Sequence, residues 1–141
     1  MRAWQALLHA HHDIEQALDR ELREAHGITF GEYDVLLRLG RAPDRALRMS
    51  ELAERVLLSP SGVTRLVDRL TARGLLERRT DPDDARVALA SLTTEGSRLL
   101  RRAARTHLRG IREHFTGRLT EAQLRDVAEG LEQVAGPHEP H

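Results

Sequence analysis

The sequence predicts a mainly α-helical fold that carries one small β-hairpin. Apolar residues recur every three or four positions through long stretches near both ends of the chain, which is the spacing of helices that bury one face. Between these stretches, a helix with capping residues at both ends is followed by two short extended runs around a polar turn. At 141 residues the chain has the size of one compact domain, 1–141.

Composition excludes several classes of function. The chain has 22 basic and 22 acidic residues, so it cannot coat nucleic acid by bulk charge, and it has no cysteine for disulfides, thiolate metal sites or thiol-based sensing. No apolar run approaches the ~20 residues that span a bilayer, and no signal-peptide core is present. We therefore expect a cytoplasmic protein with no membrane partner. Its few aromatic residues also argue against base stacking of the kind that single-strand binders use.

The first predicted helix runs from about residue 3 to residue 26, where Gly27 ends it. Its apolar stripe consists of Trp4, Leu7, Leu8, Ile14, Leu18 and Leu22. The few elements that remain cannot cover so long a stripe, and we expect part of it to form a subunit interface. A capping box from Thr29 to Glu32 opens a second helix that ends near Gly40, and residues 41–47 are predicted to be a loop.

A short third helix is predicted over about residues 51–57, with Ser50 as its cap. Its apolar residues are Leu52, Ala53 and Val56. The small Ala53 permits another helix to cross closely, as the two helices of a helix-turn-helix do.

The fourth predicted helix, over residues 60–73, has both ends marked and two distinct faces. Ser59 is the expected cap, Pro60 suits the first helical position, and Gly74 suits the left-handed residue that ends a helix. One face is apolar and consists of Val63, Leu66, Val67 and Leu70. The opposite face is polar and consists of Ser61, Thr64, Arg65, Asp68 and Arg69.

Two extended runs, about 75–80 and 86–92, flank a turn at 81–84 that reads Asp-Pro-Asp-Asp. We expect Asp84 to bond the local backbone and fix the tip, which leaves Arg86 free to reach a narrow groove. The alternative is a surface ion pair between these two residues. A helix, a glycine stop and a hairpin with a basic tip follow one another in a winged helix-turn-helix, whose helix enters the DNA major groove.

Two more helices complete the chain. The segment Leu92–Gly96 begins a long helix that runs to about Phe115, and a capping box at Thr120–Gln123 opens the last one. The last helix is predicted to turn inward the apolar residues Leu124, Val127, Ala128, Leu131 and Val134. Gly136 and Pro137 end it, and the tail 137–141 is expected to be frayed. The long helix also carries an arginine row, which consists of Arg98, Arg101, Arg102, Arg105, Arg109 and Arg112. We expect most of this row to pair with acidic residues of the first and last helices.

With these motifs in this order, the sequence resembles the MarR family of bacterial transcription regulators over essentially its whole length. The residues that carry the resemblance are Ser50-Glu51-Leu52-Ala53, the run from Ser61 to Leu70 with Arg73-Gly74-Leu75, the wing pattern Asp81-Pro82-x-Asp84-x-Arg86, and Leu92-Thr93-x-x-Gly96. The resemblance implies a homodimer on a palindromic DNA operator, in which the fourth helix reads the major groove and the wing arginine enters the minor groove. It also implies a helical dimerisation base at about 3–26 and 97–135, and a winged helix-turn-helix lobe at about 29–96. In many members a small, often phenolic, ligand binds between base and lobe and lowers DNA affinity.

Candidate site residues follow from these faces. The DNA contacts are predicted to be Ser61, Gly62, Thr64, Arg65, Arg69, Asp84 and Arg86, and the dimer contacts Trp4, Leu7, Leu8, Leu124 and Leu131. Arg65 can grip a guanine by two hydrogen bonds, and Arg69, one turn further along, is better placed for a phosphate. The alternative is an ordinary solvated helix face.

Effector and metal sites have weaker candidates. Trp4 and Tyr33 could line an effector pocket, although Trp4 is more simply a dimer anchor. His9 and His12 share a helix face and could bind zinc, but no cysteine accompanies them, and we predict neither a metal nor a cofactor.

The predicted function is a sequence-specific, homodimeric DNA-binding transcription regulator, and more specifically a repressor that a small molecule releases. The alternatives are a winged-helix module that binds protein and a metal-responsive regulator that uses histidines. An enzyme is not expected, because the sequence has no nucleophile elbow, P-loop or His-Glu-x-x-His motif.

Overall fold

A computed structural model describes residues 1–56 and 60–136 of the chain. The helices are α1 (Arg2–His26), α2 (Phe30–Arg41), α3 (Met49–Arg55), α4 (Pro60–Ala72), α5 (Thr94–His114) and α6 (Glu121–Ala135). The strands are β1 (Ala46–Arg48), β2 (Leu76–Thr80) and β3 (Ala88–Leu92). This architecture confirms the predicted fold class, a mainly helical chain with a small sheet. The predicted cap at Ser59 and the frayed tail at 137–141 lie outside the described residues.

Local chemistry at the helix ends is as the sequence predicted. Gly27 ends α1 in the left-handed conformation, with φ at 65°, and its N–H donates to the Arg23 carbonyl. Thr29 opens α2 with the predicted capping box: its hydroxyl accepts from the Glu32 N–H, and the Glu32 carboxylate accepts from the Thr29 N–H. Gly74, with φ at 72°, follows α4. Each end is therefore specified by residues close to it in the sequence.

The core lies where α2, α3 and α4 meet the sheet, the carboxyl-terminal half of α1 and the first half of α5. Its fully buried side chains include Leu22, Ile28, Leu36, Leu39, Leu52, Val63, Val67, Leu70 and Leu76. The predicted apolar face of α4 is buried over its whole length. Burying one such side chain contributes about 1.5–3 kcal/mol, so this face holds α4 firmly against the core and its polar face outward.

The sheet has one strand more than the sequence predicted. The hairpin of β2 and β3 is confirmed, and β1 pairs with the other edge of β3, which gives the antiparallel order β1-β3-β2. The prediction of a loop at 41–47 is therefore wrong: the segment contains a 3₁₀ turn and most of β1. The reason is tertiary, because Leu47 is buried opposite Ala90 and a three-residue strand is too short to show an alternating pattern.

The start of α3 also differs from the prediction. Ser50 lies inside α3, which begins at Met49, directly after β1. The carboxylate of Glu51 reaches back to accept a hydrogen bond from the Arg48 N–H at 3.2 Å. The Glu51 side chain thus provides the hydrogen bond at the start of α3, a role that the sequence assigned to Ser50.

The prediction that α6 turns its apolar residues inward is wrong for a single chain. None of its residues is buried, and Leu131 and Val134 are 41% and 84% exposed. The amino-terminal part of α1 is likewise exposed, with Trp4 at 57%. The chain therefore leaves apolar helix faces uncovered at both of its ends.

The expected ion pairs of the α5 arginine row are also not formed within one chain. Arg98 pairs with Glu95 of the same helix. Across residues 1–56 and 60–136, no salt bridge connects this row to a carboxylate of α1 or α6. The row is exposed on α5 instead.

The junction between α5 and the strand that precedes it has no space for a side chain at Gly96. A Cβ at this position would collide with the backbone carbonyl of Leu75, which accepts hydrogen bonds from Thr93. We expect Gly96→Ala to lower the free energy of unfolding by about 3 kcal/mol, because backbone must move. Gly40→Ala is the control: its Cβ would meet only the end of the Leu100 side chain, so we expect a cost below about 1 kcal/mol. Urea denaturation of both variants measures the difference, and equal losses would contradict this account.

Candidate nucleic-acid interface

The polar face of α4 is exposed, as predicted. Ser61, Thr64, Arg65 and Arg69 lie on the surface and Gly62 is half-buried, while Val63 and Val67 between them are buried. The side chain of Arg65 forms no hydrogen bond or salt bridge with any residue of the described ranges. Arg65 is therefore a cation on an outward helix face that nothing within those ranges neutralises.

Arg69 differs from the simple phosphate contact that the sequence suggested. Its Nε lies 3.4 Å from Glu32 Oε1, and the Glu32 side chain is only 9% exposed. A carboxylate that is nearly buried needs a partner, and Arg69 provides one across the gap between α2 and α4. Arg69, itself 60% exposed, therefore has a structural role before any DNA is considered.

The wing tip is held by two aspartates rather than one. Asp84 Oδ1 accepts from the Arg86 N–H at 3.0 Å, which confirms the geometry of the predicted backbone bond. The same oxygen also accepts from Arg86 Nε at 3.2 Å, so Arg86, although 91% exposed, forms the surface ion pair that the sequence left as an alternative. Hydrogen bonds from the side chain and backbone of Arg86 lower the pKa of Asp84, so the pair stays charged.

Asp81 anchors the wing to the body of the protein, a role that the sequence did not reveal. It is buried, and one of its oxygens lies 3.0 Å from both Nε and a terminal nitrogen of Arg48, at the end of β1. Its other oxygen accepts from the Asp83 N–H at 2.8 Å. On the outer strand, Arg78 bonds Asp68 of α4 at 2.7 Å. These contacts fix the tip and strand β2 relative to α4.

Arg73 ties the end of α4 to the end of α1. One terminal nitrogen of its guanidinium donates to the Gly27 carbonyl at 2.8 Å, and the other to the His26 carbonyl at 3.4 Å. These carbonyls lie at the carboxyl end of α1, where a cation is also favoured by the helix dipole. The sequence marked Arg73 only as the residue before a glycine stop.

Asp19 forms a second connection between α1 and the winged part of the chain. It accepts from the Phe30 N–H at 2.8 Å and from Arg23 Nε at 2.6 Å. Burial alone would raise the pKa of Asp19, but these hydrogen bonds outweigh burial and lower it. Asp19 is therefore ionised at neutral pH and contributes stability that is lost as the pH falls through its lowered pKa.

A cleft of about 570 Å³ lies beside this connection. Its lining includes His12, Asp19, Arg23, Phe30 and Asp34. Neither predicted effector candidate lines it. Tyr33 is buried, with its ring 4.6 Å from that of His107, and burial raises its pKa.

Trp4 is exposed near the start of α1, whereas Tyr33 is buried in α2. Trp4 lies about 22 Å along α1 from Asp19, where α1 meets the start of α2. A shared effector pocket of Trp4 and Tyr33 stays a prediction.

The weak metal candidates His9 and His12 are not brought near a third donor. Both lie on the exposed part of α1. Within the described part of the chain, the one group of three potential metal donors consists of Glu21, Glu113 and His114.

An exposed polar helix face beside a hairpin with an arginine tip, on this fold, defines a winged helix-turn-helix transcription regulator. Residues 26–87 match the MarR family. Sco3205 of Streptomyces coelicolor, a MarR family transcriptional regulator solved in complex with DNA, is 34% identical with a TM-score of 0.88, and the match covers 98% of this chain and 86% of Sco3205. The chain belongs to the MarR family, as its motifs predicted.

Two proteins of Bacillus subtilis extend the comparison. YkoM, an uncharacterised HTH-type transcriptional regulator, is 30% identical over 142 residues, which cover 100% of this chain and 88% of YkoM. MdtR, an HTH-type transcriptional repressor, is 40% identical over 76 residues, which cover 54% of this chain and 48% of MdtR. These relatives are regulators rather than enzymes, which agrees with the prediction that the chain has no catalytic activity. None of the described helices is long and apolar enough to cross a membrane.

We expect Asp81→Ala to loosen the wing, because it removes the acceptor for both Arg48 and the Asp83 N–H. The Asp81 N–H donates to the Val87 carbonyl, and the Val87 N–H donates to the Asp84 carbonyl. Hydrogen exchange at these two amides should accelerate at least tenfold, the equivalent of about 1.4 kcal/mol. Asp83→Ala is the matched control, since Asp83 is exposed and only its backbone bonds Asp81. Unchanged protection in Asp81→Ala would show that Asp81 does not hold the wing.

Proposed function

We propose that this protein is a homodimeric repressor that binds a palindromic DNA operator and is released by a small molecule, in the cytoplasm. The observation that carries the proposal is the outward face of α4, where Arg65 is unneutralised within the described ranges, beside the exposed Arg86 of the wing. The likeness to Sco3205, solved in complex with DNA, supports this use of the face. Repression rather than activation is supported by the similarity to MdtR, an HTH-type transcriptional repressor.

In the proposed complex α4 lies in the major groove. Ser61, Thr64 and Arg65 lie near its amino-terminal end, where side chains reach base edges, and the half-buried Gly62 adds no bulk. Arg69 contacts a phosphate while its guanidinium remains paired with Glu32. Arg86 breaks its ion pair with Asp84 and enters the adjacent minor groove. A winged-helix module that binds protein would instead be expected to expose aromatic or leucine side chains on this face.

The homodimer accounts for the apolar surfaces at both chain ends. The exposed large apolar side chains of this region are Met1, Trp4, Leu7, Leu8, Leu108, Leu131 and Val134, and the half-buried Leu124 extends the set. An isolated helix as exposed as the first half of α1 is marginal in water, so a partner that covers it also stabilises it. A base formed by 3–26 and 97–135 of two chains would leave the lobes at 29–96 free to reach DNA.

The position of the cleft supports the proposed release by a ligand. Two copies of α4 enter successive major grooves only if the dimer holds them about 34 Å apart. The cleft lies against Asp19 and Phe30, the contact that sets α2 relative to α1. A small phenolic or aromatic ligand that wedges into it would change the spacing of the two lobes without touching a DNA contact.

We expect Arg65→Ala and Arg86→Ala each to weaken operator binding at least hundredfold, because a symmetric dimer loses two contacts worth about 1–3 kcal/mol each. The operator is first selected from random duplexes, and affinity is then measured by gel retardation. Arg20→Ala, which removes the same charge from an exposed position on α1, is the control and should bind as the wild type does. Sedimentation should show an unchanged dimer in all three variants. Wild-type retardation by Arg65→Ala or Arg86→Ala would refute the site assignment.

A second test addresses the dimer. We expect Leu131→Glu to dissociate the dimer, because the new carboxylate would be buried at an apolar interface. Gln133→Glu is the control: it places the same charge at a nearby polar position and should leave the dimer intact. Sedimentation equilibrium distinguishes the 15.9 kDa chain from a species of twice that mass. The dimer proposal fails if the wild type is a monomer at micromolar concentration, or if Leu131→Glu remains dimeric.

A further inference from the structure

We propose that Glu21, Glu113 and His114 form a binding site for a divalent transition-metal ion of the zinc type. The three side chains each offer a donor atom, and these atoms all lie within 4.8 Å of one another. The proposal stands apart from the proposed function, because none of the three residues belongs to the DNA face or to the cleft.

The donors come from two helices that pack side by side. Glu21 lies on α1, and His114 is the last residue of α5, where Phe115 leaves helical geometry. His114 Nε2 lies 2.5 Å from Glu21 Oε1. The two side chains are 18% and 24% exposed, and the third residue, Glu113, is exposed.

The second oxygen of Glu21 is the observation that points to a cation. Glu21 Oε2 is buried and has no hydrogen-bond partner in the described structure. Gly110 makes room for it, because a Cβ there would lie 2.5 Å from this oxygen. A buried carboxylate oxygen without a donor is costly, and a bound cation removes that cost.

Glu113 is available to the same ion. Its carboxylate forms no hydrogen bond or salt bridge within the described ranges, and Arg118 donates to its backbone carbonyl rather than to its side chain. Two carboxylates facing one imidazole would repel each other without a cation between them.

The donor set favours zinc over harder cations. One imidazole nitrogen and two carboxylate oxygens resemble three-ligand zinc sites that keep water in the fourth position, whereas calcium needs six or more oxygen ligands. Donors around a tetrahedral zinc ion are about 3.3 Å apart, so side-chain rotations must close the present spread by about 1.5 Å. Metal ligands must be deprotonated, so we expect Zn²⁺ to bind more weakly at acidic pH.

The experiment uses tag-free, chelator-treated full-length protein and Zn²⁺ as the probe. Isothermal titration should show one saturable ion per chain for the wild type, and Zn²⁺ should raise its melting temperature. His114→Gln and Glu113→Gln should each weaken binding at least tenfold and remove the thermal shift. Glu113 is exposed, so Glu113→Gln keeps the fold even if a change at the more buried His114 does not. The control, His9→Gln with His12→Gln, removes two exposed histidines of α1 and should bind as the wild type does.

Three results would overturn the proposal. The first is no saturable Zn²⁺ binding by the wild type up to about 100 µM. The second is unchanged affinity in folded Glu113→Gln and His114→Gln, which would leave the Glu21–His114 contact as a simple hydrogen bond between helices. The third is loss of binding in the double histidine control, which would place the site on the exposed part of α1.

Discussion

The direction of α4 depends on how the carboxyl end of α1 is capped. Gly27 turns the chain out of α1, and Arg73 returns from the end of α4 to bond the carbonyls of His26 and Gly27. About two helical turns earlier in α1, Asp19 accepts a hydrogen bond from the Phe30 N–H and so joins α1 to the start of α2. These polar bonds at the end of α4 act together with its buried apolar residues, which keep the polar face outward.

Carboxylates with little exposure determine where several arginines point. Glu32 holds Arg69 and Asp81 holds Arg48, and in both cases the acid is nearly buried while the arginine remains about half exposed. A buried carboxylate costs more when unpaired than an exposed guanidinium does, so the acids fix the geometry and the arginines adapt. This division explains how a chain with no net charge still presents cations on chosen surfaces.

Sequence patterns predicted what is decided locally. Gly27, the Thr29–Glu32 box and Gly74 follow from residues within one helical turn, and the two faces of α4 follow from its periodicity. The partners of Arg69 and Asp81 were missed because each lies more than thirty residues away, and no spacing rule relates them. Strand β1 was missed because its existence depends on β3. The apolar stripe of α6 was predicted from its periodicity, but no other described part of the same chain buries it.

If the wing contacts DNA as proposed, the ion pair at its tip affects how the protein searches along the duplex. An arginine that already holds an aspartate gains little from an ordinary phosphate, because it exchanges one anion for another and strands Asp84 near the backbone. Only a compressed minor groove, with its deeper negative potential, would draw Arg86 away from that partner. Asp84 would therefore compete with DNA phosphates for Arg86 and shorten the time that the protein stays bound to random duplex. It would also make the affinity for DNA less sensitive to added salt than the number of arginines implies.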